Sequence, residues 1–195
     1  MNLAHLIFNE FLGGAMKNIT KGLILIVGIA VLMQPLGAAE GKTINVFGNL
    51  GFNAGDFEGL SFDLGVEMQF TEKIWGQILF DYYFSPLEES NDSIIDINDS
   101  AWGINAYGVY TFARRTNMNF FVKGGVNYTT VKASTDFIFD ISASTSNFGI
   151  GIGGGMEYAL QEKLSMVVGA TLKTAYSDDP SIWIKFYGGF KFAIN

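Results

Sequence analysis

The chain has 195 residues, of which 24 are glycine, 18 phenylalanine and only 3 proline, and its formal net charge is −7. Because it contains no cysteine, disulfides, thiol catalysis and thiolate metal sites are excluded. The chain is acidic overall and lacks the clusters of Lys and Arg that nucleic-acid binding requires. The longest apolar run, residues 23–33, has eleven residues, whereas a spanning helix needs about 20. We predict neither a cofactor nor a metal centre.

The N-terminal segment has the layout of a secretory signal peptide. Two lysines precede the apolar run, and small residues ending at Ala39 offer a cleavage site. We take Met16 as the true start, because it places both lysines at the extreme N-terminus. An uncleaved membrane anchor is the alternative. The predicted organisation is a signal peptide over 1–39 and one domain over 40–195.

Charged side chains avoid every second position in eight stretches of the predicted domain. Within them no even-numbered residue is charged; the stretches are 44–52, 60–70, 74–84, 102–112, 120–130, 148–158, 164–176 and 182–192. A period of two indicates β-strands, because successive side chains point to opposite faces of a sheet. One apolar face with all charge on the other is typical of strands that cross a membrane, apolar toward lipid and polar toward the lumen. The pattern predicts an all-β, eight-stranded antiparallel up-and-down transmembrane β-barrel.

The odd-numbered positions of these strands carry equal numbers of acids and lysines. We expect them to form an ion-pair network in the lumen, because an unpaired charge in a narrow interior is costly. The members are Asp63, Glu67, Asp81, Glu157, Lys123, Lys173, Lys185 and Lys191. Which carboxylate meets which lysine cannot be read from the sequence. Eight strands enclose just enough space for side chains, which favours a lumen largely plugged by them over an open water channel.

The connections between the predicted strands alternate between short and long. The longest, 85–101 and 131–147, fall on the same side, which in such barrels is the cell exterior. They contain apolar residues of one parity, namely Ile95, Ile97, Phe137, Phe139 and Ile141. Three interpretations stay open: a packed cap, a β-edge that binds an extracellular partner, or a hydrophobic mouth that admits small apolar solutes.

Acidic residues dominate the predicted outer connections, which hold eleven carboxylates and a single lysine, Lys132. The simplest interpretation is a solvated surface that keeps these segments soluble. The alternative is that carboxylate oxygens recruit divalent cations, which bridge to lipopolysaccharide phosphates.

The C-terminal segment carries a spaced motif that resembles the assembly signal of outer-membrane barrels. Its residues are Tyr187, Gly189, Phe192 and Ile194. Together with the strand number and parity, the motif makes 40–195 similar to the small eight-stranded outer-membrane barrels of the OmpA/OmpX type. One departure is the final residue, Asn195, where many members of that family end on an aromatic.

The resemblance implies a protein of a Gram-negative bacterial outer membrane, in contact with outer-membrane lipid and lipopolysaccharide and inserted by the barrel assembly machinery. It also implies a non-enzymatic protein with a structural or surface-interaction role. The alternative function is a narrow porin-like or OmpW-like channel for small or hydrophobic solutes. Independently of the resemblance, residues 40–195 contain no histidine, so catalysis by a Ser-His-Asp arrangement is excluded.

Overall fold

Eight β-strands account for most of the residues that the computed structural model describes, which are 43–84, 97–135, 141–177 and 180–194. In chain order the strands are β1 (Ile44–Gly55), β2 (Gly59–Gln69), β3 (Ile74–Phe84), β4 (Ile97–Arg115), β5 (Met118–Thr135), β6 (Ile141–Gln161), β7 (Leu164–Ala175) and β8 (Ser181–Ala193). Each strand pairs antiparallel with the next, and β1 pairs with β8 to close the barrel. The predicted eight-stranded antiparallel barrel is therefore confirmed.

Side chains alternate between the two faces of the barrel wall. On β1 the odd-numbered Asn45, Phe47 and Asn49 are buried inside, whereas Leu50 is 70% exposed on the outside. On β6 the even-numbered Ile152 is likewise exposed. The two-residue period of a strand is sufficient to produce this separation. As a result, apolar side chains cover the outer wall and polar ones line the lumen.

One part of the outer wall, on the first three strands, is more shielded than the rest. The even-numbered Ile44, Val66, Met68, Phe80 and Tyr82 form a cluster in which no member is more than 8% exposed. The register places Ile44 directly opposite Met68. Apolar neighbours across a strand pair stabilise a sheet, so this cluster holds the first three strands together on their outer face.

Strands β4, β5 and β6 are longer than the others, with 19, 18 and 21 residues. The prediction of loops over 85–101 and 131–147 is therefore wrong for their described parts. Residues 97–101, 131–135 and 141–147 are paired strand. The reason is physical: a strand needs a uniformly apolar face only where it crosses lipid, so the alternation ends at the membrane while the ladder continues into water.

At the opposite end of the barrel two of the three connections are shorter than predicted, namely those between β4 and β5 and between β6 and β7. Strand β4 continues to Arg115 and β5 begins at Met118, which leaves a turn over 116–117. The register of β4 against β5 shifts between Thr111 and Ala113. A β-bulge adds a residue to one strand only, so the odd–even rule stops applying beyond it.

None of the described residues forms a helix long and apolar enough to cross a membrane. The predicted signal peptide over 1–39, with its start at Met16, lies outside the described residues and stays a prediction.

A charge on the outer wall should cost far more stability than a charge in the lumen. Ile152→Arg places a guanidinium on the exposed outer face of β6, at a cost of roughly 2–4 kcal/mol near mid-membrane. The matched control, Gln77→Arg, points into the lumen, where the Gln77 amide already donates to Glu67 at 3.2 Å. Urea titration of both variants folded into lipid vesicles compares their free energies of unfolding. Equal losses would contradict the assignment of the two faces.

Candidate functional site in the barrel lumen

The inward side chains of β3 provide a scale of depth through the lumen. They run from Tyr83, beside the extended strands, through Asp81, Leu79 and Gln77 to Trp75, beside the short turns. We call the first side the outer end and the second the short-turn end. Each layer of the lumen has a different chemistry.

Two aspartates face each other in the outer half of the lumen, because Asp63 of β2 and Asp81 of β3 are paired in register. Like charges directly opposite on neighbouring strands are destabilising. Lys185 of β8 relieves this repulsion by pairing with Asp63 and, at 3.3 Å between Nζ and Oδ1, with Asp81. Lys173 of β7 pairs with Asp81 as well. We call these four residues the quartet; none of their side chains is more than 4% exposed.

Neutral hydrogen bonds complete the quartet. The Asp81 carboxylate accepts hydrogen bonds from Tyr83 Oη and from Asn105 Nδ2, each at 3.0 Å. The Lys173 ammonium donates to Asn105 Oδ1 at 2.9 Å. Buried charges are tolerated when they are both paired and hydrogen-bonded. With two acids and two lysines, the quartet meets this condition and is neutral overall.

A second ion-paired group lies nearer the short-turn end. Lys191 of β8 contacts Glu67 and Glu157, at 2.9 Å between its Nζ and a carboxylate oxygen of each. Glu67 also accepts hydrogen bonds from the amides of Asn45 and Gln77, at 3.4 and 3.2 Å. Two carboxylates share one lysine here. This group, which we call the triad, therefore carries one excess negative charge.

Lys123 of β5 lies apart from both groups. None of the ion pairs between described residues includes it. Its ammonium instead lies over the rings of Tyr187 and Tyr107, at 4.4 and 5.0 Å from their centroids. The electron-rich face of an aromatic ring stabilises a cation only in part. The structure thus brings seven of the eight residues predicted for the network into two groups and leaves Lys123 outside them.

A cluster of aromatic side chains, which we call the aromatic cap, lies at the outer end above the quartet. Phe57, in the connection between β1 and β2, lies 4.5 Å from Trp183 and 5.7 Å from Tyr83 between ring centroids. Gly55 and Gly59 on either side have φ of 113° and 120°, a conformation that glycine adopts without strain. We did not predict this role for Phe57. The two flanking glycines are the sequence signal that marks the sharp turn.

A hydrogen-bonded pair holds this connection against β8. The Asp56 N–H donates to Ile182 O at 3.2 Å, and the Ile182 N–H donates to Asp56 Oδ2 at 2.6 Å. Phe57 is 6% exposed as a result. The cap is therefore fixed both by ring contacts and by backbone hydrogen bonds.

Glycine makes room for the bulky inward side chains. A Cβ added at Gly151 would lie 2.5 Å from Tyr107 Oη, and one added at Gly169 would lie 2.6 Å from Tyr187 Oη. Real Cβ atoms do not approach other atoms so closely. The wall strands therefore carry glycine where a tyrosine crosses the lumen, and both tyrosines reach Lys123 as a consequence.

Between the quartet and the short turns the lumen widens into a cavity of about 370 Å³. Lys123, Glu67, Gln77 and Lys191 lie on its inner wall. Its rim includes Arg114, Glu162 and Lys163, which are exposed. The cavity therefore opens at the short-turn end.

The predicted assembly-signal residues lie at the end of β8. Tyr187 is buried in the lumen, whereas Phe192 is 48% exposed on the outer wall. Gly189 faces Asn49 of β1 in register. Ile194 follows the strand, and its N–H donates to Ile44 O at 2.9 Å. These residues take part in the seam that closes the barrel; a role in assembly stays a prediction.

The predicted loop patch lies only partly within the described residues. Ile97 begins β4 and Ile141 begins β6, and both face Thr135 of β5, one from each side. The remaining patch residues, which lie outside the described residues, are Ile95, Phe137 and Phe139. The backbone therefore brings two of the five patch residues to neighbouring strand ends.

The acidic side chains of the lumen are engaged in ion pairs. Among residues 43–84, 97–135, 141–177 and 180–194, no three or more His, Cys, Asp or Glu side chains are placed to hold a metal ion. The inward carboxylates of the quartet and triad are in ion pairs with lysines.

Comparisons with known proteins agree with this architecture. The family model described as the outer membrane protein beta-barrel domain matches residues 23–188. A major outer membrane protein from Thermus thermophilus is similar with a TM-score of 0.64 and 12% identity, over 78% of this chain and 99% of that one. Neisserial surface protein A is similar with a TM-score of 0.56 and 12% identity, over 78% and 96%.

A third solved structure, the N-terminal β-barrel domain of OprF from Pseudomonas aeruginosa, has a TM-score of 0.52 and 12% identity, over 77% of this chain and 96% of that one. At such identities the likeness shows the fold alone. The comparison with curated proteins found no match. The family match and the closed barrel confirm the resemblance to small outer-membrane barrels and place the protein in the bacterial outer membrane. The chain belongs to the outer membrane protein beta-barrel domain family.

Proposed function

We propose that the protein is a non-enzymatic outer-membrane barrel that acts at the cell surface and whose lumen is plugged by side chains. The observation that carries the proposal is the succession of aromatic cap and quartet across the outer half of the lumen. Trp183 and Tyr83 in the cap are each 1% exposed, and Asp81 beneath them is fully buried. A solute entering from outside would have to displace both layers.

The quartet resists displacement because it joins opposite walls. Strands β3 and β7 are four positions apart in a ring of eight, so the pair between Asp81 and Lys173 spans the lumen. Removing one partner of a buried ion pair costs about 3–5 kcal/mol, since the other charge is left uncompensated. A conducting state would require the three ion pairs of the quartet to be replaced by contacts with water.

A catalytic role has little support. The predicted mature sequence has neither histidine nor cysteine, which removes the usual bases and thiol nucleophiles. Each inward acid is in an ion pair with a lysine, which makes it a weaker base and poorly suited to abstract a proton.

The extended strands support a role at the cell surface. Strands β4 to β6 run past their neighbours, and Ser144, Thr145 and Ser146 on the projecting part of β6 are exposed. Residues 141–147 of β6 pair with β5 but with no second strand among the described residues, and such an open edge offers backbone and hydroxyl groups to an extracellular partner. Ile97 and Ile141 add apolar residues at the strand ends.

Charge argues against one class of partner. A solved structure of Ail from Yersinia pestis contains a heparin analogue, sucrose octasulfate. In the present chain the outer connections predicted from the sequence hold eleven carboxylates and one lysine, and a polyanion would be repelled by that surface. We therefore do not extend this ligand class to the present chain. The carboxylates suit a hydrated surface or divalent cations shared with lipopolysaccharide.

Outer-membrane lipid, lipopolysaccharide and the barrel assembly machinery are the general partners of this proposal. Exposed apolar side chains on the outer wall, such as Phe186 and Phe190, are suited to lipid. The C-terminal residues from Tyr187 to Ile194 are the segment proposed to be recognised during assembly.

The second candidate function is a narrow channel for small or hydrophobic solutes. The cavity of about 370 Å³ at the short-turn end favours it, because part of the lumen is open to solvent. A hydrophobic-solute version would use Phe137 and Phe139, which the sequence predicts at an outer mouth and which lie outside the described residues. The cap and quartet between that mouth and the cavity are the argument against continuous passage.

Conductance of the purified, refolded protein in planar bilayers tests the plugged lumen. We expect no steady openings from the natural chain and more frequent openings from Phe57→Ala, because the cap loses the ring that contacts Trp183 at 4.5 Å. Phe52→Ala is the matched control, since Phe52 lies nearby on the outer wall at 48% exposure. Steady, sizeable openings from the natural chain would favour the channel instead.

A double-mutant cycle on the quartet tests whether its charges act as a pair. Asp81→Asn should lower the free energy of unfolding by about 3–5 kcal/mol, because it leaves Lys173 without its carboxylate. Adding Lys173→Met should recover part of this loss, whereas two independent sites would give additive losses. Glu58→Gln, at an exposed position, is the control and should change stability little. Additive losses would show that the two residues are not coupled.

Surface labelling of single cysteines tests which end of the barrel faces outward, and it is feasible because the chain has none. Ser144→Cys lies on the projecting part of β6, and Glu162→Cys lies in the turn that follows β6. In intact cells a membrane-impermeant maleimide should label the first variant only. Both should react after the outer membrane is disrupted. The reverse order in intact cells would invert the orientation.

A further inference from the structure

The cavity at the short-turn end has the size and access of a binding site. Its volume of about 370 Å³ lies at the lower end of the range for small-molecule pockets, roughly 300–1,000 Å³. The residues of the quartet are not part of its wall, whereas the triad and Lys123 are. Its charged groups can therefore meet a solute that enters between the short turns.

Lys123 provides an uncompensated cation on this wall. Lys123 is 7% exposed, it is in none of the ion pairs of the described residues, and the rings of Tyr187 and Tyr107 lie against its ammonium. An ammonium withdrawn from water without a carboxylate is costly. An anionic group in the cavity would remove that cost.

The triad provides the opposite charge on the same wall. Lys191 is shared between Glu67 and Glu157, so one carboxylate charge is left over. Glu157 is the more accessible of the two, with its side chain 20% exposed against 3% for Glu67. The register places Glu157 opposite Asn119, four residues along β5 from Lys123, which is about 13 Å of strand.

We propose that this cavity binds a small zwitterionic solute with a carboxylate and an ammonium group, of the size of a free amino acid. The carboxylate lies on Lys123, and the ammonium lies on the triad side, where it donates to Glu157, the more accessible carboxylate. Each end of the solute compensates one charge that the protein leaves uncompensated. The site needs only the cavity and its wall, so it does not depend on closure of the outer half.

Amide NMR titration of the refolded, isotope-labelled protein in lipid bicelles tests the proposal with three probes. Glycine carries both charges, N-acetylglycine lacks the ammonium, and glycinamide lacks the carboxylate. Glycine should shift the backbone amides of Lys123 and Gln77 saturably and leave that of Ser144 unchanged. Each of the other two probes should bind at least about tenfold more weakly, because each loses a charge-assisted hydrogen bond.

Variants at two lysines separate binding from general effects on the barrel. Lys123→Met should weaken glycine binding by about tenfold or more, and it should leave the weak binding of glycinamide unchanged, because glycinamide has no carboxylate to lose. Lys132→Met, at an exposed position on the projecting part of β5, is the matched control and should bind glycine as the natural chain does.

Three results would overturn the proposal: shifts that grow linearly without saturation, equal affinity for glycine and glycinamide, or unchanged glycine affinity in Lys123→Met. If that variant fails to refold, the three-probe comparison on the natural chain decides alone. Conductance is a separate measurement, so an open lumen with selective glycine binding would contradict the plugged barrel and leave this site standing.

Discussion

The hydrogen-bonded seam between β1 and β8 is the interaction on which the rest of the structure depends. It runs over eleven residue pairs, from Asn45 opposite Ala193 to Gly55 opposite Trp183. In lipid no water can satisfy an open strand edge, so a sheet that crosses a membrane has to close on itself. The register of this seam also decides which side chains face inward, because a slip of β8 by one residue would turn Lys185 and Lys191 toward lipid.

In a closed wall of eight strands the charged side chains have to point into a narrow lumen, where they are arranged in layers of different charge. Charges that cannot face lipid have to share a narrow interior, and they are stable there only when paired. The quartet solves this with four charges and shared hydrogen bonds from Tyr83 and Asn105. Nearer the short turns, Lys191 forms ion pairs with two carboxylates, whereas the ammonium of Lys123 lies over aromatic rings. The charges balance over the lumen as a whole but not at each position, and this imbalance lies where the cavity meets solvent.

Much of the fold, and less of the site, could be predicted from the sequence. Strand number, topology and inward charge followed from parity, because the lipid boundary acts on every even-numbered residue of the spanning segments. The alternation could not show that β4 to β6 continue past the membrane. A strand in water needs no apolar face, so Ser and Thr can occupy both faces of its projecting part. The alternation also could not show that Phe57 turns inward, because a connection has no period. The separation of Lys123 from the acids depends on the stagger between distant strands, which the pattern along a single strand does not contain.

The apolar outer wall of the barrel explains why the protein lies in a membrane, but it does not indicate what the protein does there. It requires only apolar side chains at alternate positions, which many sequences supply, so 12% identity is compatible with the same fold. Function has to be argued from residues that the wall does not require. In this chain those residues make the two ends of the lumen unlike each other: an aromatic cap over a neutral quartet at the outer end, and a cavity with separated charges at the short-turn end. Because the cap and quartet lie between the outer surface and the cavity, these two regions present different chemistry and can bind different partners.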